Sequence, residues 1–117
     1  NYKFQTNLIG KIQIKNLLMA VLAAENSGVS FKQIIKVIKK VKAVHGRLEQ
    51  VGTLKNNAKV LLDYAHTPDA LKTCLKNLKD QFKGKKISIV FGCGGNRDES
   101  KRPMMGKIVM IIVTEFI

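Results

Sequence analysis

Two polar loops carry the side chains best suited to chemistry. The first is Asp63-Tyr64-Ala65-His66-Thr67-Pro68-Asp69 and the second is Gly92-Cys93-Gly94-Gly95-Asn96-Arg97-Asp98. Each begins where a run of aliphatic and β-branched residues stops, and each leads toward a helix. In α/β proteins, the crevice at the carboxyl ends of strands gathers backbone N–H groups, helix N-termini and side chains around one ligand. Two such corners in one short chain point to a nucleotide or anionic substrate rather than to packing alone. Gly92, Gly94 and Gly95 would let the backbone turn sharply and approach a ligand closely. The glycine loop is not a Walker A motif, because no Lys-Ser or Lys-Thr follows at the required spacing. His66 can hydrogen-bond a nucleotide or simply fix its own loop, and Cys93 has no neighbouring base to make it a nucleophile. Asp69 is accounted for by the helix dipole it faces.

The elements that must position these loops are readable from local signals. Residues 13–27 predict a helix with an apolar stripe of Leu17, Leu18, Val21, Leu22 and Ala24, stopped by Gly28. Ser30-Phe31-Lys32-Gln33 matches a capping box, and Val29 with Ile34 has the spacing of a hydrophobic staple. A second helix over residues 31–40 follows, buried through Phe31, Ile34, Ile35 and Ile38. Ala43-Val44-His45-Gly46 reads as a connector, residues 47–54 as a strand and Asn56-Asn57 as a turn. Val60-Leu61-Leu62 suits a short buried strand ending at Asp63. Thr67 can cap a third helix with Pro68 at its first position and a face of Leu71, Cys74, Leu75, Leu78 and Phe82. With a strand over residues 87–91, this predicts a right-handed βαβ unit of strand 60–63, helix 68–82 and strand 87–91. Pro103 can open a helix, but periodicity leaves residues 108–113 as either a strand or a buried helical turn.

At 117 residues the chain has room for one domain or parts of two, and 45% apolar content supports a buried core. No apolar run approaches the roughly 20 residues a bilayer span needs, and the start of the chain lacks a signal-peptide pattern. The chain reads as an internal piece of a soluble protein. Two cysteines without a CxxC pair indicate neither a disulfide framework nor a zinc site, which fits a reducing, cytoplasmic setting. The net charge of +13 comes from lysines scattered from Lys3 to Lys107 with few aromatics among them. Nucleic-acid binders concentrate basic residues and interleave aromatics, so solvated lysines are the preferred account.

Three ordered strings resemble the Mur ligase family: Asp63-Tyr64-Ala65-His66-Thr67-Pro68-Asp69-Ala70-Leu71, Phe91-Gly92-Cys93-Gly94-Gly95-Asn96-Arg97-Asp98 and Lys101-Arg102-Pro103-Met104-Met105-Gly106. Leu8-Ile9-Gly10 with Asn16-Leu17-Leu18-Met19-Ala20 is similar to the helix motif of its central domain, and Gly46-Arg47-Leu48-Glu49 to its Gly-Arg-x-Glu junction. Within the family the likeness is to the branch that adds the third amino acid of the peptidoglycan stem. It implies an α/β fold in which residues 1–46 are the helical, C-terminal end of a central ATPase domain. Residues 47–117 would be the first half of a Rossmann-like C-terminal domain. The implied reaction uses ATP and Mg2+ to activate the carboxylate of a UDP-linked muramoyl dipeptide as an acyl phosphate, which the amine of the incoming amino acid attacks.

The resemblance also implies roles for particular residues. Asn16 would lie near the nucleotide, where its amide can both donate and accept, and the planar fork of Arg47 would suit phosphate or ribose oxygens. Asp63 would accept from the ribose, with His66 beside it, and Arg97 would hold the incoming amino acid through a bidentate pair. Unrelated accounts stand next to these: an exposed asparagine, a hinge arginine, a capping aspartate, and an Arg97 paired with Asp98 or Glu99. The glycine loop leans toward meso-diaminopimelate as the third amino acid, although Asn96 stands where an aspartate is more usual. Gln13 and His45 likewise replace the more usual asparagine and proline, and the likeness fades beyond Gly106. A fragment inactive without the remainder of the ligase is expected. The competing readings are a basic α/β nucleic-acid-binding module and a remnant without function.

Overall fold

The computed structural model describes residues 3–94 and 98–113, together with the backbone of Glu115–Phe116. The architecture is mixed α/β, and the contacts divide it into two compact units, residues 1–63 and 64–117. Among the described residues no helix is long and apolar enough to cross a membrane.

In the first unit, helix α1 spans Lys11–Asn26 and helix α2 spans Phe31–Ile38. Gly28, at φ +90°, ends α1: its N–H reaches Glu25 O and the Val29 N–H reaches Ala24 O, each at 3.0 Å. This is the paired closure of a Schellman turn, and only a residue comfortable at positive φ makes it cheaply. Leu17, Ile34 and Ile38 form a buried cluster, backed by Leu8, Val21, Ala24, Ile35 and Val41. The anticipated stripe is too wide. Leu17, Val21 and Ala24 face the cluster, whereas Leu18 and Leu22, one step further round the helix, are 46% and 52% exposed.

The capping box of α2 is present, with Ser30 Oγ accepting from the Gln33 N–H and Gln33 Oε1 accepting from the Ser30 N–H. Ser30→Ala is therefore expected to cost about 1 kcal/mol of stability, read as a urea midpoint lower than that of the native chain.

Strands β1 (Glu49–Thr53) and β2 (Lys59–Leu62) form an antiparallel hairpin. Its loop closes through Leu54 N to Ala58 O at 2.9 Å, with Asn57 at φ +63° and Asn56 Oδ1 accepting from the Ala58 N–H. Short polar side chains tolerate that left-handed position better than others. The ladder pairs Glu49 with Leu62 and Gln50 with Leu61, and a bulge between Gln50 and Gly52 shifts the remaining pairs, Gly52 with Val60 and Thr53 with Lys59. Two expectations are corrected here. Val60 and Leu62 are 38% and 41% exposed, so β2 is not a buried strand. Among the described residues its ladder partner is β1, and the strand at Ser88–Ile89 belongs to a different sheet, so the expected βαβ unit of residues 60–91 does not form.

In the second unit, helix α3 is Pro68–Gln81, with Thr67 Oγ1 accepting from the Ala70 N–H and Pro68 at the first helical position. Strand β3 is Ser88–Ile89, helix α4 is Lys101–Ile112 and strand β4 is Glu115–Phe116. Strands β3 and β4 are parallel, with Ser88 opposite Glu115 and Ile89 opposite Phe116. The parallel crossover thus runs through α4, not α3. The undecided run from Ile108 is mostly helix, and Pro103 lies in its first turn, where a missing N–H does no harm. Leu71 and Leu75 of α3 meet Met105 and Val109 of α4 in the core, flanked by Ile87, Ile89 and Phe91. Every lysine except Lys101 is exposed, and they are spread over all four helices, β2 and the connecting segments, as expected of solvated charge.

Candidate functional site

Antiparallel register explains how the junction after α2 meets the first polar loop. Continuing the Glu49–Leu62 and Gln50–Leu61 pairs by one step sets Leu48 opposite Asp63. At that step a side chain replaces the main-chain acceptor, and the Leu48 N–H donates to Asp63 Oδ2 at 2.9 Å. Asp63 is partly buried, and Leu48 is 2% exposed with φ +46°. A bulky side chain holds that conformation at a cost of about 1–2 kcal/mol, so the surroundings must impose it.

The rest of the Gly46-Arg47-Leu48-Glu49 junction is knitted by its own groups. Glu49 folds back so that Oε2 accepts from the Gly46 N–H at 3.0 Å and meets His45 Nδ1 at 2.8 Å. The Arg47 N–H reaches Val44 O at 3.0 Å, and Gln13 Nε2 of α1 donates to the Arg47 main-chain oxygen. The Arg47 side chain itself is exposed. Asn16 is also exposed, one helical turn beyond Gln13 on α1. Backbone and carboxylate thus bring Arg47 and Asp63 into one network, which reaches α1 through Gln13. A carboxylate has about four lone-pair sites, so the Leu48 N–H takes up only part of what Asp63 can accept.

In the second unit, His66 Nδ1 lies 3.0 Å from the Tyr64 carbonyl oxygen. A carbonyl only accepts, so Nδ1 carries the hydrogen and Nε2 of the neutral ring becomes the acceptor. Tyr64 is 67% exposed, and its ring lies 5.0 Å from the His66 ring, tilted by 58°. Gly92 and Gly94 have open space where a methyl would stand, and neither lies at positive φ. Local geometry therefore does not by itself require glycine at these two positions, and Gly95 lies outside the described residues. The thiol of Cys93 packs on Met105, Sγ to Sδ 3.6 Å, at the edge of the core.

Arg97 lies outside the described residues. Of the two acids expected to compete for it, Glu99 pairs with Arg102 at 3.8 Å and Asp98 accepts from the Ser100 hydroxyl and N–H. The Ser100 hydroxyl, joined by the Ser100 N–H and the charge of Lys101, holds the Asp98 carboxyl below its ordinary range. The sequence marks Gln13 only as an unusual residue and does not announce its hydrogen bond. The available signal was a polar residue four positions before Leu17, on the inward face of the helix.

Comparison with known proteins gives a consistent picture. The family described as Mur ligase, glutamate ligase domain, matches residues 46–117. A UDP-N-acetylmuramoyl-L-alanyl-D-glutamate–2,6-diaminopimelate ligase of Rickettsia bellii is 48% identical across 100% of this chain, which covers 24% of that protein. The ligase of the same name from Rhizobium meliloti is 39% identical across 97% of this chain and is covered to 24%. A solved structure of a ligase with that name superposes with a TM-score of 0.66 at 32% identity, over 98% of this chain and 23% of the other. A UDP-N-acetylmuramate-alanine ligase from Thermotoga maritima shares the fold, with a TM-score of 0.75 at 22% identity, over 100% of this chain and 27% of the other. The chain spans about a quarter of the length of the curated relatives it matches.

Proposed function

The chain belongs to the Mur ligase family, and from that premise we propose that it is part of the ligase that adds meso-diaminopimelate to UDP-N-acetylmuramoyl-L-alanyl-D-glutamate. Residues 1–46 form the end of the central ATPase domain and residues 47–117 the start of the Rossmann-like C-terminal domain. The reaction takes place in the cytoplasm. The γ-phosphoryl group of ATP passes to the dipeptide carboxylate, giving an acyl phosphate and ADP. The amine of diaminopimelate then attacks the carbonyl carbon and phosphate leaves, forming the amide. Asn16, Arg47, Asp63 and His66 contact the nucleotide, and Arg97 holds the incoming amino acid.

The observation that carries the reading is the hydrogen bond from the Leu48 N–H to Asp63 Oδ2, which ties the Gly-Arg-x-Glu junction to the first polar loop. The donor chemistry fits a nucleoside: an amide for a base, a guanidinium for phosphate or ribose oxygens, and a carboxylate for sugar hydroxyls. For Mg2+ the described residues offer no such set. No group of three or more His, Cys, Asp or Glu is placed to hold a metal among the described residues, so no step is assigned to the ion here.

A chimera tests the proposal. This chain replaces the matching quarter of the Rickettsia bellii ligase, and ATP-dependent addition of diaminopimelate is expected. Arg97→Ala in the chimera should lower kcat/KM for diaminopimelate at least about hundredfold, the lower end of what two lost charge-assisted hydrogen bonds cost, with the KM for the UDP-linked substrate unchanged. A folded chimera that forms no amide, or an Arg97→Ala variant with native selectivity, counts against it. The 117-residue chain alone is expected to form none.

A further inference from the structure

Gln13 sits on the inward face of α1 and is 7% exposed, the one buried polar side chain among the described residues. An aliphatic residue would fill that place more cheaply, because a buried amide must recover the hydrogen bonds it leaves in water. What it recovers is specific. Nε2 donates to the main-chain oxygen of Arg47, while the N–H of that same peptide group, on Leu48, donates to Asp63 Oδ2 at 2.9 Å. One peptide plane is thus gripped at both ends, by a side chain from α1 and by the carboxylate that follows β2. The residue beyond it, Leu48, is held at φ +46°.

We infer that Gln13 is a positioning residue for Arg47: by fixing the Arg47–Leu48 peptide it sets the direction in which the exposed guanidinium leaves the backbone, without touching a ligand itself. The inference rests on reading Arg47 and Asp63 as nucleotide contacts. It also explains why both should respond to a change in α1, since they are anchored through opposite ends of the same planar group. A side chain present only to fill space would have no bearing on either.

Gln13→Met, studied in the 117-residue chain with ADP as the probe, separates the two roles, because methionine keeps much of the volume and the helix propensity but removes the donor. Native Leu48 should show the strong intraresidue amide–Hα NOE of a positive φ. In Gln13→Met that NOE should weaken, the Leu48 amide should exchange about tenfold faster and ADP affinity should fall about tenfold, the scale of one buried hydrogen bond. In an Arg47→Ala background the substitution should cost no further ADP affinity. Native behaviour of Gln13→Met in all three readouts overturns the inference. If Arg47→Ala weakens ADP binding and Gln13→Met does not, positioning alone fails. If Arg47→Ala binds ADP as the native chain does, the nucleotide reading fails, while the Leu48 readouts still decide whether the grip exists. Should Gln13→Met not fold, the native chain decides through the scalar coupling across the hydrogen bond from Gln13 Nε2 to the Arg47 carbonyl carbon: its presence supports the grip, and its absence overturns it.

Discussion

Leu75→Ala is expected to remove about 2–5 kcal/mol of stability, the range for emptying a fully buried leucine site. Leu75 is 2% exposed and lies in the cluster with Leu71, Met105 and Val109, whose exposures are 3%, 1% and 0%. These four residues come from α3 and α4, so the cavity would open where the two helices meet. Small domains hold only about 0.05–0.15 kcal/mol per residue, which makes such a loss comparable with everything that keeps residues 64–117 folded. Urea unfolding with amide exchange as the site-specific readout checks this, and protection in α3 and α4 should collapse first. Leu62→Ala is the matched control. Leu62 is 41% exposed, and its truncation should shift stability far less. Equal effects at the two sites would mean that the α3–α4 cluster is not the core.

How much of this was legible in advance depends on how local the signal is. Ser30 and Gln33 bond to each other across three residues, and Thr67-Pro68 opens α3 through neighbouring atoms, so both helix starts could be read directly. Pairing is different. The aliphatic run Val60-Leu61-Leu62 announces extended backbone but carries no information about its ladder partner. The loop around Asn57 decides that, by returning the chain onto β1. The run from Ile108 was ambiguous for a related reason, since continuous apolar residues suit a strand and a helix equally. What distinguishes them is the four-residue step from Met105 to Val109, one face of a helix, and it begins before the run does. At the candidate site the residue types of Arg47 and Asp63 were evident, whereas the link between them was not. That link is made by a backbone N–H and by the register of the hairpin, neither of which leaves a mark in composition.

The same link makes Asp63 the position where folding and ligand binding should separate most cleanly. Asp63→Ala deprives the Leu48 N–H of its acceptor in a partly buried setting, at an expected cost of about 1–3 kcal/mol. The left-handed conformation of Leu48 then loses one of the hydrogen bonds on its preceding peptide, while the Gln13 contact on the carbonyl of that peptide stays. Asp63→Asn keeps an oxygen able to accept from Leu48, so most of that stability should return. The charge does not return with it. If Asp63 accepts from ribose hydroxyls as proposed, each charge-assisted hydrogen bond is worth about 1.5–3 kcal/mol, and ADP affinity in the asparagine variant should still fall at least about tenfold. The alanine variant should therefore lose stability and affinity together, and the asparagine variant chiefly affinity. Parallel urea and ADP titrations on both variants test this ordering. An asparagine variant that folds and binds ADP like the native chain would confine Asp63 to holding the Leu48 peptide, and its candidacy as a nucleotide contact would end.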